Sequence, residues 1–135
     1  MHLTIENFKD SKVKERFIHL HPLLIGIAQE MHFFCAEHEQ PFVITETVTT
    51  KEEDQRFSRV SDSHNQSRAI DVRTKDWPSE FRQKFVDHFD SRYGPTVGAI
   101  NNTGARKFVV YHDSGFGAHA HRQLDTTFAI KPEST

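Results

Sequence analysis

The stretch FIHLHPLLIGIAQEMHFFCAEHEQPFVITETVT, residues 17–49, decides the fold class because its periodicity changes halfway along. Its first half has apolar residues at alternating spacings of three and four, the pattern of a helix with one buried face. They are Phe17, Leu20, Leu24, Ile27, Met31 and Phe34. Pro22 suits the first turn of a helix, so we expect the main helix over about 22–38 and a shorter helical piece before it. Pro41 ends that region, and residues 42–49, rich in β-branched side chains, predict a strand.

The rest of the chain alternates between polar loops and short structured segments. Residues 50–66 are polar and predict a long loop, and residues 68–73 predict a short strand. Phenylalanines at every fourth position, Phe81 to Phe89, predict a helix over about 78–92 that stops at Gly94-Pro95. Three further short strands are predicted at 97–100, 107–111 and 120–124. We therefore expect a single α+β domain over 1–135, with helices packed on a small, mainly antiparallel sheet, a lead-in over 1–10 and a tail over 125–135.

Composition and charge exclude several classes of function. The chain has 17 Lys+Arg against 19 Asp+Glu, a net charge of −2, which argues against binding to nucleic acid. The single cysteine, Cys35, excludes a disulfide framework and a multi-cysteine zinc site. No apolar run is long enough for membrane insertion. The N-terminal stretch MHLTIENFKD lacks the apolar segment of a secretory signal, so we expect synthesis in the cytoplasm. We also expect the protein to be a monomer.

Two short segments carry the residues best suited to chemistry. The first, HNQSRAID, places His64 seven positions before Asp71, and the second, AHAH, contains His119 and His121. Strand residues two apart share a face, so the paired histidines can face one site together. Zinc is often held by three His, Asp or Glu ligands with a fourth position left for water, whose pKa then falls toward about 7. The alternative is that the histidines are ordinary loop residues and Asp71 a turn or salt-bridge group.

Together the two segments resemble the motifs of the zinc peptidases that cut D-alanyl-D-alanine or L-alanyl-D-glutamate bonds in peptidoglycan. That family is related to lysostaphin-like enzymes and to the zinc domain of hedgehog proteins. The family's motif H-x-x-G-x-A-x-D is matched here except at its glycine, and its combination of H-x(6)-D with a later H-x-H occurs here in the same order. Residues 44–46 and the polar loop containing Gln55, Arg56 and Arg59 are also similar to the family's run before its first motif. The resemblance covers about residues 40–125.

The resemblance implies a role for each matching residue. His64, Asp71 and His121 are expected to bind zinc, and His119 to be the catalytic histidine that assists proton transfer. Arg59 is the candidate for contacting a carbonyl or carboxylate of the substrate, and Arg56 is the alternative.

Three positions depart from the family pattern, and the first is Asp62, which stands two before His64 where serine is usual. Ser67 stands where glycine is usual, which suggests that the backbone there does not require a glycine-only conformation. Ala118 stands three before the last ligand, where many relatives have an acidic general base. His119 is therefore the leading candidate for the base, and Asp113, expected in a loop, is the alternative.

By this resemblance the chain is expected to be a zinc peptidase that hydrolyses a peptide bond in peptidoglycan. Its small size, without a signal or a wall-binding module, looks like that of phage lysis enzymes, which reach the wall through a separate pore-forming protein. L-alanyl-D-glutamate endopeptidase, an endolysin activity, is the favoured subtype, and a peptidoglycan carboxypeptidase of the same family is the alternative. A wall-degrading component of a virion would share the chemistry. The alternative from another class is a non-catalytic zinc-binding module, for which Ala118 in place of an acid is the argument.

Overall fold

The computed structural model describes residues 3–56, 67–100, 106–107, 109–114 and 117–124, with side-chain surroundings for 3–56, 67–98 and 124. Four helices are present there: α1 (Ser11–Phe17), α2 (Pro22–Glu37), α3 (Lys51–Arg56) and α4 (Ser79–Val97). The strands are β1 (Ile44–Glu46), β2 (Ala69–Arg73), β3 (Ala99–Ile100), β4 (Arg106–Lys107), β5 (Val109–Ser114) and β6 (Gly117–Gln123). The predicted α+β class is confirmed.

The sheet that carries the predicted motifs has four strands in the order β1-β2-β6-β5. Every neighbouring pair in it is antiparallel, as are β3 and β4 in a separate two-stranded sheet. β2 and β6 therefore lie in the interior of the sheet and are held by a strand on each side. Because an interior strand has both rows of backbone groups paired, it is a rigid place for functional side chains.

The main helix predicted over about 22–38 is confirmed as α2, and the shorter helical piece expected before it is α1. Pro22 is the first residue of α2, where its missing N–H is not needed. Glu39, two residues after the end of α2, has φ 55°. Gln40 N donates to Cys35 O at 2.8 Å, and Glu39 N donates to Ala36 O at 3.1 Å. This is a Schellman ending with glutamate in the position that usually holds glycine.

The expectation of an unbroken loop over 50–66 is wrong for its first part, which forms α3. Thr50 Oγ1 accepts from Glu53 N at 3.1 Å, and Glu53 Oε1 accepts from Thr50 N at 2.9 Å. This reciprocal pair is a capping box, and its signature T-x-x-E stands in the sequence at 50–53. Residues 57–66 lie outside the described residues.

The expectation that Gly94-Pro95 ends the last helix is also wrong, since α4 continues to Val97. A proline normally keeps the preceding residue out of helical geometry, because the proline ring clashes with the Cβ of that preceding residue. Here the preceding residue is Gly94, which has no Cβ. Gly98 N donates to Gly94 O at 3.1 Å and closes the final turn beyond the proline. The strand expected at 97–100 is correspondingly shortened to Ala99–Ile100.

The core lies between α2, α4 and one face of the sheet. From α4, Phe81, Phe85 and Phe89 are buried, and the Phe34 ring of α2 packs against all three at centroid distances of 5.5 to 5.9 Å. The expected lead-in contributes as well, because Phe8 is buried and forms a parallel bridge with Ile44. In the described part of the chain, the helices are too short or too polar to cross a membrane.

Candidate metal and substrate site

The register of the sheet brings the two sequence motifs together. Asp71 on β2 is the Cα partner of His121 on β6, and Arg73 is the partner of His119. Directly opposite residues of an antiparallel pair lie on one face of the sheet, as do residues two apart on a strand. Two adjacent rows therefore lie on one face of the sheet: Asp71 with His121, and Arg73 with His119. His64 and Arg59, the other predicted site residues, lie outside the described residues.

Asp71 is a buried carboxylate on this face, with only 7% of its surface exposed. Its neighbours Ile70 and Val72 are fully buried on the opposite face, where they join the core. Thr45 Oγ1 donates to the backbone oxygen of Asp71 at 3.4 Å. Buried carboxylates are tolerated where they are paired or bind a cation, and carboxylate oxygen and imidazole nitrogen are both zinc ligands. The donor types at positions 71 and 121 therefore fit a zinc ion.

The start of β2 is tied to the end of β6 by Arg68. Its backbone oxygen accepts from Leu124 N at 2.8 Å, and its Nη1 donates to Leu124 O at 2.9 Å. Arg68 and Leu124 are both buried, so these bonds are shielded from water. The clamp holds the β2–β6 register that sets Asp71 opposite His121.

Ser67, just before the clamp, has φ 62°, in the left-handed region that favours glycine. As expected, the conformation is not one that only glycine adopts, but glycine would adopt it at less cost, so serine is accommodated there at a backbone cost. The same backbone turn places Ser67 O where it accepts from His21 N, at 2.9 Å, and thereby joins the motif to the start of α2.

A bulge in β1 adds an acidic residue that the sequence analysis did not assign. Ile44 pairs with Val72 but Glu46 pairs with Asp71, so one residue of β1 is extra. Ile44 and Thr47 are both fully buried although they are three apart, whereas a regular strand returns to the same face every two residues. The bulge therefore places half-buried Glu46 on the face of Asp71.

The expectation that Asp113 lies in a loop is wrong. It belongs to β5 and pairs with Ala118, and this pair lies next to the pair His112–His119 along the two strands. Because strand positions alternate between faces, 113 and 118 lie on the other side of the sheet from 119 and 121. This register removes the reason for considering Asp113 as the base. Arg56, the alternative to Arg59, is exposed at the end of α3.

Two charged residues of this face, Arg73 and Glu46, were not among the predicted site residues, and only Arg73 had a signal in the sequence. Arg73 follows Asp71 by two positions in a predicted strand, which is enough to place both on one face. Glu46 had no such signal, because only the bulge brings it to that face. Comparison of the chain with protein-family models, with curated proteins and with solved structures gave no match.

Proposed function

We propose that this chain is a zinc-dependent peptidase that hydrolyses a peptide bond of bacterial peptidoglycan. The favoured activity is that of an L-alanyl-D-glutamate endopeptidase used in phage-type lysis, reaching the wall through a separate pore-forming protein. The observation that supports the proposal is the pairing of Asp71 with His121. These residues belong to two motifs 50 positions apart in the sequence, and a shared metal requires them to be neighbours in space.

In this proposal Asp71 and His121 hold zinc together with His64. The chemistry that zinc supplies in such sites is activation of a water molecule and polarisation of the scissile carbonyl. His119, two positions from His121 on the same strand, transfers a proton to the leaving amine. Arg59 contacts the carbonyl or carboxylate of the substrate and orients it.

The sheet contributes rigidity to the proposed site. Asp71 is carried by an interior strand, and its register with β6 is held by the buried Arg68–Leu124 clamp. Ligands on rigid elements lose little conformational freedom when they bind a metal. The proposal therefore predicts that disruption of the clamp weakens metal binding even though Arg68 is not itself a ligand.

The test is a digest of purified peptidoglycan of Gram-negative type, followed by mass spectrometry of the fragments. The zinc-loaded protein is compared with the same protein in chelator and with the variants His64→Ala and Asp71→Asn. Asp76→Asn, which changes an exposed carboxylate a few residues from Asp71, is the matched control. We expect new glutamate amino termini with the wild type and the control only. Identical fragments in chelator and in both ligand variants would reject a metallopeptidase.

A second candidate function, a non-catalytic zinc-binding module, is favoured by one observation. The position where many relatives carry the acidic base is Ala118, and it lies on the other face of the sheet from His119 and His121. This alternative predicts that the folded protein binds zinc with the same dependence on Asp71 but releases no fragments. His119→Ala separates the two functions further, since a peptidase loses most activity in that variant while keeping zinc.

A further inference from the structure

Arg73 is the one arginine of β2 on the same face as Asp71. It lies two positions after Asp71 and directly opposite His119, and its side chain is half-buried. Its backbone N donates to Val43 O at 2.9 Å, which fixes the end of the strand. Two residues of a strand span about 7 Å, so Arg73 stands one row away from the proposed ligands Asp71 and His121.

The guanidinium of Arg73 differs from those of the other arginines packed into the fold. Arg16, Arg68 and Arg82 each donate to a carboxylate or to a backbone carbonyl. Within the described residues Arg73 has no such acceptor for its side chain. A half-buried guanidinium with five N–H donors and no acceptor in the described part of the chain carries a desolvation cost, which an anionic ligand would lower.

We propose that Arg73 binds a free carboxylate of the substrate, next to the bond that is cut. This inference rests on the proposed function and names the part of the substrate that is recognised. Glutamate has two carboxyl groups and only one continues the peptide, so an L-alanyl-D-glutamate bond has a second carboxylate beside the scissile nitrogen. Arg73 is placed to donate two parallel hydrogen bonds to that carboxylate while the scissile bond lies over the pair Asp71 and His121.

The inference assigns substrate selectivity to Arg73. A carboxylate accepts both N–H groups of a guanidinium edge, whereas a primary amide has one acceptor oxygen and brings two donors of its own. The enzyme should therefore prefer stems in which this glutamyl carboxylate is free over stems in which it is amidated. Arg59, in contrast, keeps the role of contacting the scissile carbonyl.

The experiment compares two synthetic stem peptides that differ only in this group, carboxylate or primary amide. Values of kcat/KM are measured for the full-length, zinc-loaded wild type, Arg73→Gln and Arg73→Lys. The matched control is Arg92→Gln, which removes an exposed arginine of α4 that is paired with Glu30 of α2. Zinc affinity by chelator competition and the midpoint of thermal unfolding are measured for each variant, and Arg73→Gln should change neither.

We expect the wild type and Arg92→Gln to prefer the carboxylate peptide by about 10- to 100-fold. Arg73→Gln should lose that preference, with kcat/KM for the amide peptide changed less than about threefold, and Arg73→Lys should retain part of it. Equal rates for both peptides in the wild type would overturn the proposal, even if the glutamine variant fails to fold. An equal loss on both peptides in Arg73→Gln, or no loss on either, would also overturn it.

Failure of the peptidase proposal can be distinguished from failure of the Arg73 proposal by measuring peptide binding. If neither peptide is cleaved by zinc-loaded wild type, binding of the two peptides is measured by calorimetry. Tighter binding of the carboxylate peptide in the wild type but not in Arg73→Gln would then reject the peptidase and support Arg73 as the carboxylate-binding residue. Equal binding of both peptides would reject both proposals.

Discussion

Glu53 joins α1 to α3, and replacing it with glutamine should lower stability in a pH-dependent way. Its carboxylate accepts from Lys12 Nζ at 2.9 Å, from Arg16 Nη1 at 2.6 Å and from Thr50 N at 2.9 Å. Burial acts to raise the pKa of Glu53, but the hydrogen bonds from Lys12, Thr50 and Arg16 outweigh it and hold the pKa at about 2, below its ordinary 4.5. Glutamine can keep the capping bond to Thr50 through its one acceptor oxygen, so the variant removes the charge together with the oxygen that accepts from Lys12.

The expected loss follows from the two pKa values. The difference between 4.5 and about 2 corresponds to roughly 3 kcal/mol, which is an upper limit. The Lys12 side chain is 56% exposed and that of Arg16 28% exposed, so solvent screens both ion pairs. We expect Glu53→Gln to lower the free energy of unfolding by about 1–2 kcal/mol at pH 7 and low salt.

The pH dependence has a definite sign. Because the folded state lowers the pKa of Glu53, the ionised carboxylate stabilises the fold fully above pH 4.5. That contribution is lost as the pH falls toward the folded pKa of about 2. Urea unfolding at a series of pH values measures the difference between wild type and Glu53→Gln, with exposed Glu52→Gln on the same helix as the control. The difference should fall by about half or more between pH 6 and pH 3.

Two results would refute this reasoning. If the difference between wild type and Glu53→Gln were the same at pH 6 and pH 3, the carboxylate would not be the group responsible. If Glu52→Gln cost as much as Glu53→Gln, the effect would reflect the general charge of α3 rather than its ion pairs with α1. High salt should reduce the difference at pH 7, since the partners of Glu53 are partly exposed.

Three further predictions concern the core, the backbone and the metal. Phe85→Ala should cost about 3–5 kcal/mol in urea unfolding because this ring is fully buried, whereas exposed Lys84→Ala should cost less than about 0.5 kcal/mol. Ser67→Gly and Glu39→Gly should each raise stability by about 0.5–1 kcal/mol, since both residues have positive φ; a loss in either would contradict that backbone geometry. Zinc at about 100 times its Kd should stabilise the wild type by about 2.7 kcal/mol in thermal unfolding, and Asp71→Asn should remove this effect. Equal stabilisation of wild type and Asp71→Asn would place the metal elsewhere.

Local patterns in the sequence predicted the helices well. The apolar spacing and Pro22 predicted α2 within one residue of its end, because an amphipathic stripe and an N-terminal proline act within a few turns. The failures were also local. The capping box at 50–53 starts α3 inside a polar stretch that was predicted to be a loop. Pro95 does not end α4, because Gly94 has no Cβ to clash with the proline ring.

The candidate site was only partly predictable. The sequence predicted Asp71, His119 and His121 as site residues from their spacing and from the family resemblance, and those assignments remain predictions. Asp113 was misplaced because its face depends on the register of β5 against β6, which no local pattern specifies. A shift of one residue in that register moves every residue of the strand to the other side of the sheet.

By itself, the sequence identified residues whose side chains suit metal binding and catalysis, and it predicted α2 and most of α4, since side-chain type and short-range periodicity suffice for both. Tertiary structure alone decided that Asp71 lies opposite His121, 50 residues further along the chain. It also decided that the bulge in β1 brings Glu46 to the same face and that Arg73 stands beside His119. The physical reason is that strand pairing depends on long-range packing: Ile44, Ile70 and Val72 must enter one core, and burying them selects the register that places the charged residues on the other face.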